Sequence, residues 1–137
     1  MGIFLGDSKN SSAARCALKI NYVFRHILKP KFEEKYSGLK SQKLAHGIGI
    51  DTSEVLTVRG GIRSSNDLVW IGRAPNIAAK LSNLREAPYY TYITDTVYKK
   101  LADDAKFGGD PKRNMWQERT WNGGVGTLYR SSFWRKP

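Results

Sequence analysis

The sequence is poor in cysteine, histidine and acidic residues. Cys16 is its one cysteine. It excludes an internal disulfide and leaves no second thiol for a zinc knuckle. The two histidines, His26 and His46, are isolated, with no ligand spacing between them, so each reads as a structural residue rather than a metal ligand. No apolar run approaches the roughly 18–20 residues that a membrane-spanning helix needs. The opening "MGIFLGD" is too short for the apolar core of a signal peptide and has no basic lead. A cytoplasmic, reducing setting without membrane attachment is therefore expected. No Gly-Lys-Ser/Thr follows Gly47, Gly49, Gly60 or Gly61, which excludes a Walker loop, and their spacing is not that of a dinucleotide fingerprint. They read as hairpin and close-packing glycines.

The shortage of acid leaves 12 acidic residues against 23 basic ones, a net charge of +11. Such a surplus favours polyanionic partners, among them nucleic acid, anionic lipid and nucleoside triphosphates. A merely solvated basic surface has the same composition. What is present is otherwise ordinary. Apolar residues make up 40% of the 137, which suits a single domain over residues 1–137 with one core and argues against global disorder. There is no internal repeat.

Along the chain, "MGIF" reads as a short buried strand and "LGDSKNSS" as turn and cap chemistry, with Asn10 or Ser11 as N-cap. Ala14, Ala17, Leu18, Phe24, Ile27 and Leu28 recur at helical spacing, and Pro30 ends or bends that helix. "KPKFEEKYSGLKSQK" is a basic connector with room for another turn or two of helix. "LAHGIGID" reads as a strand, and "EVLTVRGG" as its hairpin partner across "DTS". "IRSSNDLVWI" carries a loop into a third strand. After the break at Gly72 a helix is expected from about Pro75 to Leu84, since proline suits a first turn. "YYTYI" is another strand, and "TDTVYKKLADDA" a helix capped by Thr94 or Asp95. "MWQERTW" and "VGTLYRSSFW", joined by "NGG", form a hairpin. Hairpins interleaved with single helices predict an α+β sandwich with a mainly antiparallel sheet.

One stretch stands apart chemically. In "VWIGRAPNIAAKLSNL", Asn76 lies in the first turn of a helix and Lys80 one turn later on the same face. Helix starts attract phosphate through free N–H groups and the dipole. An amide and a cation on that face suit a phosphate ester, although a capping Asn and a solvated Lys would look the same. Asp7, Asp51 and Asp67 all fall in turns, where Asp is common. Trp116, Trp121, Tyr129, Phe133 and Trp134 could stack on single-stranded nucleic acid or pack a hairpin on a helix.

The order of these motifs resembles the class III nucleotide cyclases. "AHGIGIDTSEVLTVRGG" is similar to their central strand and the strand after it. "VWIGRAPNIAAKL" is similar to their Gly-x-x-x-Asn-x-x-x-Arg/Lys segment, and "YITDTVYKKL" to the strand and helix that follow. "MGIFLGDSKNSSAARCALKI" resembles the end of their second hairpin and the next helix. The match is collinear over nearly the whole chain. It implies a ferredoxin-like sandwich and conversion of a nucleoside triphosphate to a 3′,5′-cyclic monophosphate and pyrophosphate. It implies that Asn76 orients the ribose and that Lys80 replaces the arginine that stabilises charge on the α-phosphate. Lysine keeps that charge but loses the bidentate fork.

The family uses two divalent metal ions, Mn²⁺ or Mg²⁺, held by two aspartates that precede the segment matched by "MGIF". The resemblance thus implies a cyclase domain lacking its N-terminal metal-binding part, with no metal ligand in this chain, or one that needs an aspartate-bearing partner. It also implies a homodimer with head-to-tail active sites. Val69 stands where adenylate cyclases place an adenine-reading Asp, and Arg73 where Asp or Asn is common. A guanidinium can only donate, which suits the carbonyls of uracil, although a surface arginine near a dimer seam would look the same. With the "TLYRSSFW" tail, the segment resembles the pyrimidine cyclases of Pycsar anti-phage systems. Three other readings stay open: a catalytically silent nucleotide- or partner-binding module, an adenylate cyclase, and a basic nucleic-acid-binding domain.

Overall fold

The computed structural model describes residues 1–36, 38, 44–62 and 65–137. Two expectations fall partly outside these residues, the distal half of the basic connector (37 and 39–43) and the loop at 63–64.

The frame is a four-stranded sheet. Its strands are β1 (Ile48–Ile50), β4 (Thr91–Thr94), β8 (Gly126–Ser131) and β7 (Gln117–Trp121), in that spatial order. β1 runs parallel to β4, and the other two pairings are antiparallel, so the sheet is mainly antiparallel as expected. β7 and β8 form the hairpin marked by "NGG". β4 lies between β1 and β8, and all four of its residues are buried. Its alternating side chains serve both faces. Ile93 meets Ala14 and Leu18 of α1 (Lys9–Val23), Val97 of α4 (Asp95–Lys99) and Ala105 of α5 (Asp103–Lys106). Tyr92 and Leu128 face the other way, onto Ile77 and Leu81 of α3 (Arg73–Ser82). The remaining elements are α2 (Lys29–Lys35), the hairpin of β2 (Leu56–Ile62) and β3 (Ser65–Ile71), and the short ladder of β5 (Phe107–Gly108) and β6 (Arg113–Asn114).

Several local expectations are corrected. "MGIF" forms no strand, and Met1 and Leu5 are largely exposed. α1 starts at Lys9 after Ser8, not at Asn10 or Ser11, which are buried inside its first turn. Pro30 does not end the helix. The backbone widens into a π-turn over Phe24–Leu28, with the Lys29 N–H reaching Phe24 O, and continues as α2. The wider turn absorbs a ring that would otherwise press on the carbonyl four residues back. The expected helix 94–105 is two short ones, broken at Lys100–Ala102.

The main topological correction concerns β1. β2 is not its hairpin partner but pairs with β3, Leu56 opposite Ile71 through Ile62 opposite Ser65. β1 pairs with β4 instead, Ile48 opposite Thr91 and Ile50 opposite Ile93. The reason lies in the glycines. A Cβ on Gly47 would strike the Ser82 carbonyl, and one on Gly49 the Ala78 carbonyl and Leu81 Cβ. The bare face of β1 is the seat on which α3 rests.

Buried polar groups tie the layers together. Asn21 Nδ2 donates to Thr91 Oγ1 (3.0 Å) and to the Phe133 carbonyl (2.9 Å). Its Oδ1 therefore faces His46 Nε2 at 2.7 Å as an acceptor, which fixes the ring proton on Nε2. The His46 ring lies against Phe24 and stacks on Tyr90, with centroids 4.2 and 4.9 Å away.

Candidate active site

The site is organised by the N-terminus of α3. Gly72 is extended, and a Cβ there would press on Val55 Cγ1 (3.0 Å) and the Glu54 carbonyl (3.1 Å). The joint from β3 to α3 therefore lies hard against the β1–β2 connection. That connection caps the helix. Ser53 Oγ accepts from the Ala74 N–H at 3.1 Å, satisfying one of the free donors of a helix start. Pro75 follows in the first turn, where it has no N–H to leave unpaired.

α3 buries Ile77 and Leu81 and leaves Arg73, Asn76 and Lys80 on its exposed side. The three follow at three- and four-residue intervals, so they form one stripe. Gly72, not Asn76, is the N-cap, and no side chain caps the helix from that position. Among the described residues Asn76 makes no side-chain hydrogen bond, and Lys80 makes no ion pair. Both are unspent. Helix packing, which explains Ile77 and Leu81, does not explain them.

Arg73 is different. Its guanidinium donates to Asp51 Oδ1 at 2.9 Å, and the same oxygen accepts from Thr94 Oγ1 at 2.6 Å. The Asp51 side chain is fully buried, whereas that of Arg73 is half exposed. Asp51 follows β1, Thr94 ends β4, and Arg73 opens α3, so one carboxylate joins all three. Thr94 spends its hydroxyl on this carboxylate rather than on capping α4. Sequence reasoning treated Asp51 as a turn former. Nothing in "DTS" reveals that its side chain turns inward. Val69 lies on β3 opposite Val58, and with Leu56 and Ile71 these form a solvent-exposed apolar face of the hairpin. Val69 thus stands on a different element from the α3 stripe.

Two features flank the site. Beside β1, which pairs only with β4 among the described residues, lies a cavity of about 310 Å³. Ile3, Phe4, Ala17, Ile50, Asp51 and Trp70 are on its wall. Among the described residues no three His, Cys, Asp or Glu side chains come together to hold a metal ion. The aromatic tail is largely committed to packing. Trp116 is buried, with Nε1 donating to the Ala105 carbonyl at 2.8 Å, and Tyr129 stacks on Tyr98 at 3.8 Å. No helix among the described residues is long and apolar enough to cross a membrane.

Known proteins resemble this chain in sequence and in fold. No family model matches the chain. A uridylate cyclase of Rhodovulum sp. (strain MB263) is 48% identical over 141 residues, spanning all of this chain and 59% of the relative. Uridylate cyclases of Xanthomonas perforans and Burkholderia cepacia are 45% and 47% identical over 98% of this chain, covering 57% and 56% of their own lengths. The chain thus spans a little over half the length of these curated relatives. Among solved structures, the guanylyl cyclase Cya2 superposes with a TM-score of 0.66 at 17% identity, over 96% of this chain and 62% of that one. The chain is thus similar in sequence, over its whole length, to part of these uridylate cyclases, and it shares the fold of the guanylyl cyclase Cya2.

Proposed function

We propose that this chain is the substrate-holding part of a pyrimidine nucleotide cyclase, which converts UTP, or CTP, to its 3′,5′-cyclic monophosphate and pyrophosphate. In that reaction the ribose 3′-oxygen bonds to the α-phosphorus, the 3′-hydroxyl proton is lost, and the bond to the pyrophosphate oxygen breaks. The observation that carries the reading is the pair Asn76 and Lys80, one turn apart on the exposed side of α3 and engaged by nothing else described. Asn76 can accept from and donate to ribose oxygens, holding the sugar for attack. Lys80 places a compact positive charge where the α-phosphate gains negative charge.

The two metal ions of such a reaction find no cluster of ligands among the described residues. The resemblance to the class III cyclases implies that their carboxylates come from residues preceding the segment matched by "MGIF", or from a partner. The open edge of β1 and the cavity beside it support that placement, because an unpaired strand edge offers N–H and C=O groups to a further strand. A head-to-tail homodimer is the corresponding assembly. Its support is the exposed apolar face Leu56, Val58, Val69 and Ile71, a patch of the kind that marks protein contacts. Val69 would then act at the subunit seam, close to the base, rather than as a polar reader. A cytoplasmic role in anti-phage defence, with the cyclic nucleotide read by a separate effector, is the cellular counterpart.

The test is an assay of the full-length protein with UTP, CTP, ATP and GTP in the presence of Mn²⁺. Cyclic UMP or cyclic CMP as the main product is expected. Cyclic AMP as the main product would move the reading to adenylate cyclase. No cyclic product from any of the four would leave a silent nucleotide- or partner-binding module.

A further inference from the structure

The α3 stripe carries two cations about two turns apart, and the structure treats them differently. Lys80 has no carboxylate against it among the described residues, whereas Arg73 is paired with Asp51. The pair is lopsided in exposure: the Asp51 side chain is wholly buried and that of Arg73 is 51% exposed. Asp51 Oδ1 already takes two donors, and Oδ2 is buried with no partner among the described residues.

Two consequences follow from charge and geometry. First, a buried carboxylate at 2.9 Å cancels most of the field that the guanidinium would present to a triphosphate. Lys80, left uncompensated, keeps its field. Second, an arginine on a surface helix ordinarily samples many rotamers, and this one is gripped at one end of its fork. Its remaining N–H groups have a defined direction, and a paired guanidinium still donates hydrogen bonds. A neutral, oriented donor suits a carbonyl on a base better than a phosphate.

We propose that Asp51 is the positioning residue that makes Arg73 a reader of the substrate's base, by fixing its guanidinium and cancelling its charge. The inference rests on the cyclase reading above and names the determinant of specificity within it. Removing the carboxylate turns Arg73 into a second free cation beside Lys80. Triphosphates then bind more alike, whatever their base, and the preference for a pyrimidine falls.

The experiment measures kcat and KM for UTP and ATP on the full-length protein and on Asp51→Asn, Arg73→Gln and the double variant. The expected result is a fall of roughly tenfold in the UTP-over-ATP ratio of kcat/KM for D51N, the scale of one weakened hydrogen bond to substrate. The fall should appear mainly as a lower KM for ATP and a higher KM for UTP. In R73Q the ratio should fall similarly, and adding D51N should change it little further, because the two act as one unit. If D51N does not fold, Asp51→Glu replaces it. Glutamate keeps the charge pair but displaces the guanidinium, and it too should lower the ratio. An unchanged ratio in the folded Asp51 variant overturns the inference while leaving the cyclase reading intact, as does a loss of kcat equal for both nucleotides. A wild-type protein that makes no cyclic product overturns the cyclase reading first and the inference with it.

Discussion

The two ends of the β3–α3 segment face opposite demands. At its far end α3 presses Ile77 and Leu81 onto Tyr92 and Leu128, which the sheet buries almost completely. At its near end the β2–β3 hairpin holds Leu56, Val58, Val69 and Ile71 out in solvent, and the exposed side of α3 presents Arg73, Asn76 and, a turn further on, Lys80. The far end is closed by packing. The near end has its conformation fixed, by Gly72, Ser53 and Asp51, but Asn76 and Lys80 are left without polar partners among the described residues. A molecule built this way is stable at one end and waiting for contacts at the other. Substitutions at the two ends should therefore separate stability from function.

The largest effect is expected where the closed end admits no atom at all. Gly49→Val drives a branched side chain into the Ala78 carbonyl and Leu81. Since α3 and β1 would have to part, a loss of roughly 3 kcal/mol or more is expected, read as a lower midpoint in urea unfolding. Leu128→Ala, at a fully buried position, should cost about 3 kcal/mol by cavity formation. An unchanged midpoint for both would show that α3 is not seated on the sheet as described.

The open end should behave in the opposite sense. Lys80→Met keeps the stem and removes the charge from an exposed position. Its unfolding midpoint should stay within about 0.5 kcal/mol of wild type, while kcat of the full-length protein falls about 100-fold, the scale of a lost transition-state donor. Activity retained within a factor of two would remove Lys80 from the site. On the hairpin, Leu56→Ser combined with Ile71→Ser should leave the monomer's stability little changed, because both side chains are already exposed. It should shift the sedimentation profile toward monomer and lower activity in proportion. A profile identical to wild type would remove this face as the seam.

These contrasts also mark what could be read from the sequence. The α3 stripe was legible because three signals coincide locally: a glycine break, a proline suited to a first turn, and an Asn–Lys pair at helical spacing. The β7–β8 hairpin was legible for the same reason, since "NGG" and its flanks are contiguous. β1 was misassigned because its partner is remote. "DTS" offers a local turn toward β2, but Gly47 and Gly49 commit the strand to α3, and its ladder runs to β4. Asp51 was missed on the same ground. Asp is a default turn residue, and only the assembled sheet shows its carboxylate between Thr94 and Arg73.

The smallest expected effect sharpens the contrast by pH. His46 belongs to the closed end, packed between Phe24 and Tyr90, with its Nε2–H donated to Asn21 Oδ1. Burial holds its pKa below the ordinary 6.5, and the nearby Arg25 guanidinium adds to the depression. Protonation would place a second N–H on Nδ1, which is buried with no acceptor among the described residues. The unfolded chain therefore binds the proton more readily than the folded one, and stability rises with pH through this range. The contribution of His46 should be complete above about pH 7 and should shrink as the pH falls through 6.5 toward the lower folded value. Urea midpoints at pH 7.5 and 5.5 should differ in wild type, and the difference should narrow in His46→Gln, which keeps an N–H for Asn21 but cannot titrate. A pH dependence of the same size in the variant would assign it to other groups. Lys80→Met, at the open end, should show the full wild-type difference, because its side chain takes no part in the packing around His46.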